Sequence, residues 1–328
     1  MSDLALAAYA AETGTHVIGP PRGDGRWRAF ARAFDAAAFL ASLRERGLRW
    51  LGRSEPGFPP LLAAIHDPPP GLFLRGAAEA ELLLRTAVAI VGARSCSPYG
   101  SQVARSCGRE LAAAGLVVIS GLARGVDGEA HRGTLEAGGP TVAVLGCGID
   151  RDYPASHREL AGRICECGLV VSEYGPGVKP APWRFPARNR IVAGLAKAVV
   201  VVEARERSGA LITADFALEQ GREVFAVPGE ITSSLSDGTN ALLGLGATPY
   251  TSPQDVLNAL GIEAPSSPSV ELGSDARSVL ERLREFAVGA DELQRSTGLE
   301  AGALAAALTE LELAGAAVQE GGVYRAAG

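Results

Sequence analysis

The sequence predicts an α/β protein. A mostly parallel sheet carries helices on both faces, with a small helical N-terminal region and a C-terminal winged-helix module. Three observations lead there. From Ala87 onward, short apolar runs alternate with amphipathic helical segments. Those runs are apolar at both phases of the two-residue period, so both faces of each strand must be buried. Beyond residue 273, three short helical segments precede a terminal piece, Ala316–Arg325, in which Gly321-Gly322 suits a tight hairpin. That order of elements is the order of a winged helix.

Residues 1–54 are rich in Ala and Arg, with Phe30, Phe34, Ala38 and Leu43 at helical spacing, so a helical region is expected there. Pro56, Pro59, Pro60 and Pro68-Pro69-Pro70 then mark an extended connector. Strands are expected at Ala87–Val91, Leu116–Ser120, Thr141–Leu145, Leu169–Ser172, Ala198–Glu203 and Glu223–Val227. Helices fit between them at about 99–114, 127–138, 156–167, 187–195 and 209–220. Ser97 suits a helix cap followed by Pro98, Ser156-x-x-Glu159 has the form of a capping box, and Gly221 suits a helix stop. Pro265, Ser266, Ser267 and Pro268 read as a linker. The expected layout is a helical region 1–54, a sheet domain 55–261, a linker 262–273 and a winged-helix-like module 274–328.

Composition narrows the function. With 328 residues, 47% hydrophobic and 21% charged, the chain can build a sizeable core. The net charge is −6, so affinity for nucleic acid must come from a local patch. Lys179 and Lys197 are the only lysines among 31 basic residues. Phosphate contacts therefore fall to arginine and backbone N–H groups. The five cysteines include no C-x-x-C pair, which argues against a disulfide framework or a zinc site. The start carries Asp3 and no basic run, and no apolar stretch approaches bilayer length. A cytoplasmic protein without a leader or membrane span is expected.

Candidate chemistry gathers in four segments expected at the carboxyl ends of strands, where open parallel sheets bind ligands. The first offers Gly92, Arg94, Ser95 and Tyr99, with a helix start near Pro98 suited to an anion. Its glycine spacing does not fit a dinucleotide fingerprint. The second offers Ser120, Gly121, Arg124 and Gly125, with Asp127 as a cap. His131 follows, but no nucleophile stands at suitable spacing, so a structural role is the better reading. The third is read as a loop, Phe185–Arg190, joining a ring to Arg188, Asn189 and Arg190. From Val178 to Arg207 there are seven cations, Lys179 among them, and two carboxylates. A ring beside guanidinium forks is the chemistry of single-stranded nucleic-acid binding. The fourth offers Ser208 and Gly209 at a helix start. No P-loop, catalytic triad, metal cluster or cofactor motif is present. From Glu271 to Gly328 ten acidic residues face five arginines, which favours a protein contact over a DNA contact for the C-terminal module.

In order, these segments resemble the DNA-processing protein A (DprA/Smf) family. The likeness runs from about Pro59 to Leu257. It includes Gly92-x-Arg94, Ser120-Gly121-x-Ala123-x-Gly125-Val126-Asp127, Gly146-x-Gly148-Ile149-Asp150 and Tyr153-Pro154. Ser172-Glu173-Tyr174, Phe185-Pro186-x-Arg188-Asn189-Arg190, Ser208-Gly209-x-Leu211-Ile212-Thr213 and Gly238-Thr239-Asn240 continue it. The resemblance implies an extended Rossmann-like domain that binds single-stranded DNA, forms a homodimer and loads the recombinase RecA during natural transformation. It implies no covalent reaction. It carries the DNA pocket to Arg94, Arg124, Phe185, Arg188 and Arg190, and the dimer surface to Leu242 and Leu243. Ala93 stands where the family often has Ser or Thr, and His157 lies in a loop that often carries Asn. The alternative reading is a nucleotide phosphoribohydrolase of the lysine-decarboxylase-like group. Its P-G-G-x-G-T loop is broken here at Pro228-Gly229-Glu230-Ile231.

Overall fold

The structure is a computed structural model. It describes residues 3–14, 21, 24–263, 272–320 and 322–326. The chain divides into two units, Met1–Ala264 and Pro265–Gly328.

In the first unit α1 (Asp3–Thr13), α2 (Gly25–Ala33) and α3 (Ala36–Glu45) precede β1 (Arg49–Gly52), α4 (Pro60–Ala63) and β2 (Gly71–Arg75). Then come β3 (Ala87–Val91), α5 (Pro98–Ala113), β4 (Val117–Ser120), α6 (Val126–Glu136), β5 (Thr141–Val144), α7 (Arg158–Cys167) and β6 (Leu169–Ser172). The unit continues with α8 (Arg184–Leu195), β7 (Ala198–Val201), α9 (Gly209–Glu219), β8 (Glu223–Ala226), α10 (Asp237–Gly244), β9 (Thr248–Pro249) and α11 (Pro253–Ala259). Nine strands form one sheet in the order β1-β2-β6-β5-β4-β3-β7-β8-β9. From β6 to β9 every pairing is parallel. β3 is central. The chain runs outward from it to β6, then restarts on its other side at β7. The strand order therefore reverses between β3 and β7, and a crevice opens above that point.

The strands are buried on both faces, as their composition requires. Val88 and Ile90 pack with Ala104 and Leu111 of α5. Ala87, Ala89 and Val91 pack with Ile191 and Leu195 of α8 on the opposite face. Burying each larger aliphatic side chain contributes about 1.5–3 kcal/mol. Helices α5 and α6 touch backbone to backbone. A Cβ on Gly133 would lie 1.9 Å from Arg105 O, so only glycine fits there.

Several expectations change. Arg49–Gly52 and Gly71–Arg75 form antiparallel strands, not helix and connector, and β2 pairs antiparallel with β6. Trp50 packs on Phe73 at 4.7 Å between ring centroids, which anchors this edge. Ala7, Leu43 and Leu48 share a core with Phe73, Leu145 and Leu160, so the N-terminal helices and the sheet bury one another. Ser97 does cap α5, accepting from Gly100 N at 3.0 Å. Gly221 follows α9 with φ +67°. The box expected at Ser156 and Glu159 does not form, because Ala155–His157 make a 3₁₀ turn and α7 starts at Arg158 without a side-chain cap. A capping box forms instead at Ser252 and Asp255. Among the described residues no helix is long and apolar enough to cross a membrane.

The second unit holds α12 (Ser274–Glu285), β10 (Val288–Gly289), α13 (Ala290–Thr297), α14 (Ala301–Leu313), β11 (Ala317–Glu320) and β12 (Val323–Ala326). The strands pair in the order β10-β12-β11, and Val279, Leu283, Leu293, Leu304 and Leu311 form the core. This is a winged helix. Residues 264–271, most of the expected linker, and Gly321 of the expected turn lie outside the described residues.

His131 is sealed between α6 and β5. Thr141 donates to Val118 O at 2.7 Å, so its hydroxyl oxygen accepts from His131 Nδ1 at 2.8 Å. Burial, then the nearby His157 and Arg188, push the ring's pKa down to about 3. An unfolded histidine titrates near 6.5. The folded protein therefore refuses a proton that the unfolded chain accepts, and stability falls as pH drops below about 6.5. Urea unfolding at pH 7 and pH 5 should show His131→Gln losing about 2 kcal/mol less than the parent over that interval.

Candidate nucleic-acid interface

Five connections, those after β3, β4, β5, β6 and β7, meet at the carboxyl edge of the sheet. The first leaves β3 through Gly92 and carries Arg94. It ends at Ser97, whose N–H donates to Glu203 Oε2 at 2.8 Å and whose hydroxyl donates to Glu203 Oε1 at 2.5 Å. The anion site expected at the start of α5 is thus filled by the protein's own carboxylate. The second connection, after β4, is ordered in the same way. Asp127 does not cap α6. It lies inside the helix, and its carboxylate accepts from Gly121 N at 3.1 Å and Ala123 N at 3.2 Å. Burial raises the Asp127 carboxyl above its ordinary value, opposed by the nearby Arg188 guanidinium.

Phe185–Arg190 is not a loop. It is the first half of α8. Pro186 sits in the first turn, where its missing N–H would have no helical acceptor. Helical spacing then separates the side chains. Arg188 turns inward and donates to Gly121 O at 2.9 Å and to Val144 O. Phe185, nearly one turn earlier, stays half-buried at the rim. Its ring stacks against Tyr153 with centroids 5.2 Å apart and planes 29° apart, and Arg94 Cζ lies 5.4 Å from its centroid. Two adjoining clefts share Arg94, Gly121, Phe185 and Arg188 as walls. One, of about 340 Å³, adds Gly92, Asn189, Ser208 and Gly209. The other, of about 270 Å³, adds Arg124 and Tyr153. Asn189 donates to Gly209 O at 3.0 Å, fixing α8 to the start of α9. Ser208 accepts from Ala210 N at 3.3 Å.

The other expected contacts lie elsewhere. Arg190 does not reach the cleft. Its guanidinium donates to both carboxylate oxygens of Glu173, at 2.8 and 2.7 Å, and its Nε lies 2.9 Å from Asp67 Oδ2. Its side chain is 2% exposed. Ser120 is fully buried and donates to Ile90 O at 2.6 Å, so it holds the sheet. Gly125, with φ +73°, packs against Ala93 O. Tyr99 is half exposed and its hydroxyl donates to Pro228 O at 3.1 Å. Ser95 and Lys179 are exposed and line neither cleft. Leu242 is 7% exposed and belongs to the core, with Leu243 packed partly against it, because α10 turns that face inward. Tyr153, marked in the sequence only as an aromatic residue before Pro154 in the connection after β5, completes the ring pair at the rim.

Fold and site together define a Rossmann-like α/β protein with a cationic cleft and stacked rings at its strand-order reversal. The family model for DNA recombination-mediator protein A matches residues 49–261, and that for the DprA winged helix domain matches residues 263–322. The chain belongs to the DprA/Smf family, and a recombination-mediator role comes with it. It is 47% identical over 196 residues to DNA processing protein DprA of Streptococcus pneumoniae, covering 60% of this chain and 68% of that protein. It is 45% identical to protein Smf of Escherichia coli, covering 62% of this chain and 54% of that one. The X-ray structure of the Streptococcus pneumoniae protein superposes with a TM-score of 0.67 at 37% identity, over 78% of this chain and 93% of that chain. A structure of DNA processing protein A from Helicobacter pylori, solved for its single-stranded DNA binding mode, gives a TM-score of 0.58 at 33% identity. It covers 63% of this chain and 94% of that chain.

Removing Arg190 would take from the buried Glu173 carboxylate the guanidinium that neutralises it through two hydrogen bonds. Arg190→Ala is expected to lower stability in urea by about 3–5 kcal/mol, and the double change Arg190→Met, Glu173→Leu to regain most of it.

Proposed function

We propose that this chain binds single-stranded DNA across the paired clefts and delivers it to a RecA-type recombinase, without covalent chemistry. The observation that carries the reading is the juxtaposition of the Phe185 and Tyr153 rings with the Arg94 guanidinium, at the mouth of clefts that also hold Arg124. Arg94 and Arg124 are both exposed, so a phosphate backbone can reach them. The rings offer a sequence-tolerant surface to a base, which only an unpaired strand can present. The single-stranded DNA binding described for the Helicobacter pylori relative supports it.

Homodimerisation and recombinase loading follow from the family resemblance. An apolar groove between α9 and α10 supports the dimer. Leu211, Ile212 and Leu245 line it, and Leu245 is 85% exposed. The winged helix fits a protein contact better than a DNA contact. Its third helix, α14, has no lysine or arginine and carries Glu310 and Glu312.

Titration of a labelled oligo-dT should show Phe185→Ala costing about 1–3 kcal/mol of binding. Arg94→Ala should weaken binding to every sequence alike and reduce the salt slope by about 0.7. A salt slope and affinity unchanged in both variants would contradict the assignment.

A further inference from the structure

Glu203 contacts both ends of the loop that carries Arg94. At the near end its backbone carbonyl lies against Gly92, where an added Cβ would sit 2.9 Å from it. At the far end its carboxylate takes the N–H of Ser97 at 2.8 Å and the hydroxyl at 2.5 Å. The same hydroxyl oxygen accepts from Gly100 N at 3.0 Å, which locks the first turn of α5. A Cβ at Gly100 would fall 2.3 Å from the carboxylate, so glycine there lets the helix close onto it. Glu203 is 4% exposed. Its own backbone is fixed on either side, by Val202 N to Val91 O at 3.0 Å and Ala204 N to Leu235 O at 2.8 Å. It is therefore a rigid post standing at the strand-order reversal, with the loop packed against it at Gly92 and hydrogen-bonded to it at Ser97.

We infer that Glu203 is a positioning residue for single-strand binding, acting through Arg94. Pinning Ser97 at the far end of the loop, while Val202 N holds Val91 O at the near end, keeps the Arg94 guanidinium over the Phe185 ring, 5.4 Å from its centroid, before any strand arrives. A side chain buried away from the ligand thus sets the geometry of one that touches it. This inference rests on the single-strand reading above.

The test is a double-mutant cycle on the full chain, with a labelled oligo-dT titrated at several salt concentrations. Urea unfolding of each variant checks that it is folded. Glu203→Ala should weaken binding about tenfold and lower the salt slope by about 0.7, as loss of one phosphate contact would. In an Arg94→Ala background the same change should alter affinity by less than about twofold, because its effect passes through Arg94. Glu203→Gln should fall between parent and alanine variant. Its amide oxygen keeps the Ser97 hydroxyl as partner, while its NH₂ group cannot accept the Ser97 N–H. Should Glu203→Ala not fold, the glutamine variant carries the cycle, with the same non-additivity required. Equal losses with and without Arg94, or a folded variant that binds like the parent, would overturn the inference. A parent chain that does not bind the oligonucleotide would overturn the single-strand reading, and this inference with it.

Discussion

The buried guanidinium of Arg188 is the interaction on which the cleft depends. It reaches from α8 beneath the ends of β4 and β5 and donates to Gly121 O and Val144 O. Those carbonyls stand at the carboxyl ends of β4 and β5, and Arg188 gives each a charged donor. Asp127 lies alongside, so the cation meets a carboxylate as well as two carbonyls. One side chain thereby fixes a helix against two strand ends. Phe185 is three residues earlier on the same helix, so its ring is delivered to the rim by the same anchor.

The glycine-rich turns do less direct work than their composition suggests. Such turns commonly offer backbone N–H groups to phosphate. Here two of them are already satisfied by the protein's own carboxylates, Asp127 for the turn after β4 and Glu203 for the turn after β3. The glycines serve close approach between loops. The positive charge offered to a ligand then comes from Arg94 and Arg124. In a chain of net charge −6, two arginines at a concave, ring-lined edge form a local attraction against an unfavourable background. In the proposed complex, stacking on Phe185 and Tyr153 would complement that attraction, since it does not weaken with salt as phosphate contacts do.

Much of this was legible in the sequence. The central strands β3 to β8 begin and end within two residues of where their apolar runs place them, because a strand buried on both faces leaves an unambiguous pattern. The strands β1 and β2 at one end of the sheet were not legible. Each is short, and their place in the sheet is set by β2 pairing far along the chain, Phe73 opposite Ser172 for instance. At the site, residue type located the right segment but not the direction of each side chain. Phe185, Arg188 and Arg190 read as one cluster. The helix sends them to the rim, under the strand ends and into the core respectively. Arg190 could be assigned only by knowing that Glu173 and Asp67 fold beside it. Tyr153 was visible as an aromatic residue, but its partner lies 32 positions away, and no local periodicity marks such a contact.

The central claim is that an unpaired base rests on the rings at the carboxyl edge of the sheet. Photo-cross-linking with an oligo-dT carrying 5-iododeoxyuridine tests it directly, because the excited base couples to an aromatic side chain stacked on it. Mass spectrometry of the digested adduct should place the cross-link at Phe185 or Tyr153, and Phe185→Ala should reduce its yield. Cross-links confined to the winged helix, or to the amino-terminal edge of the sheet, would contradict the account.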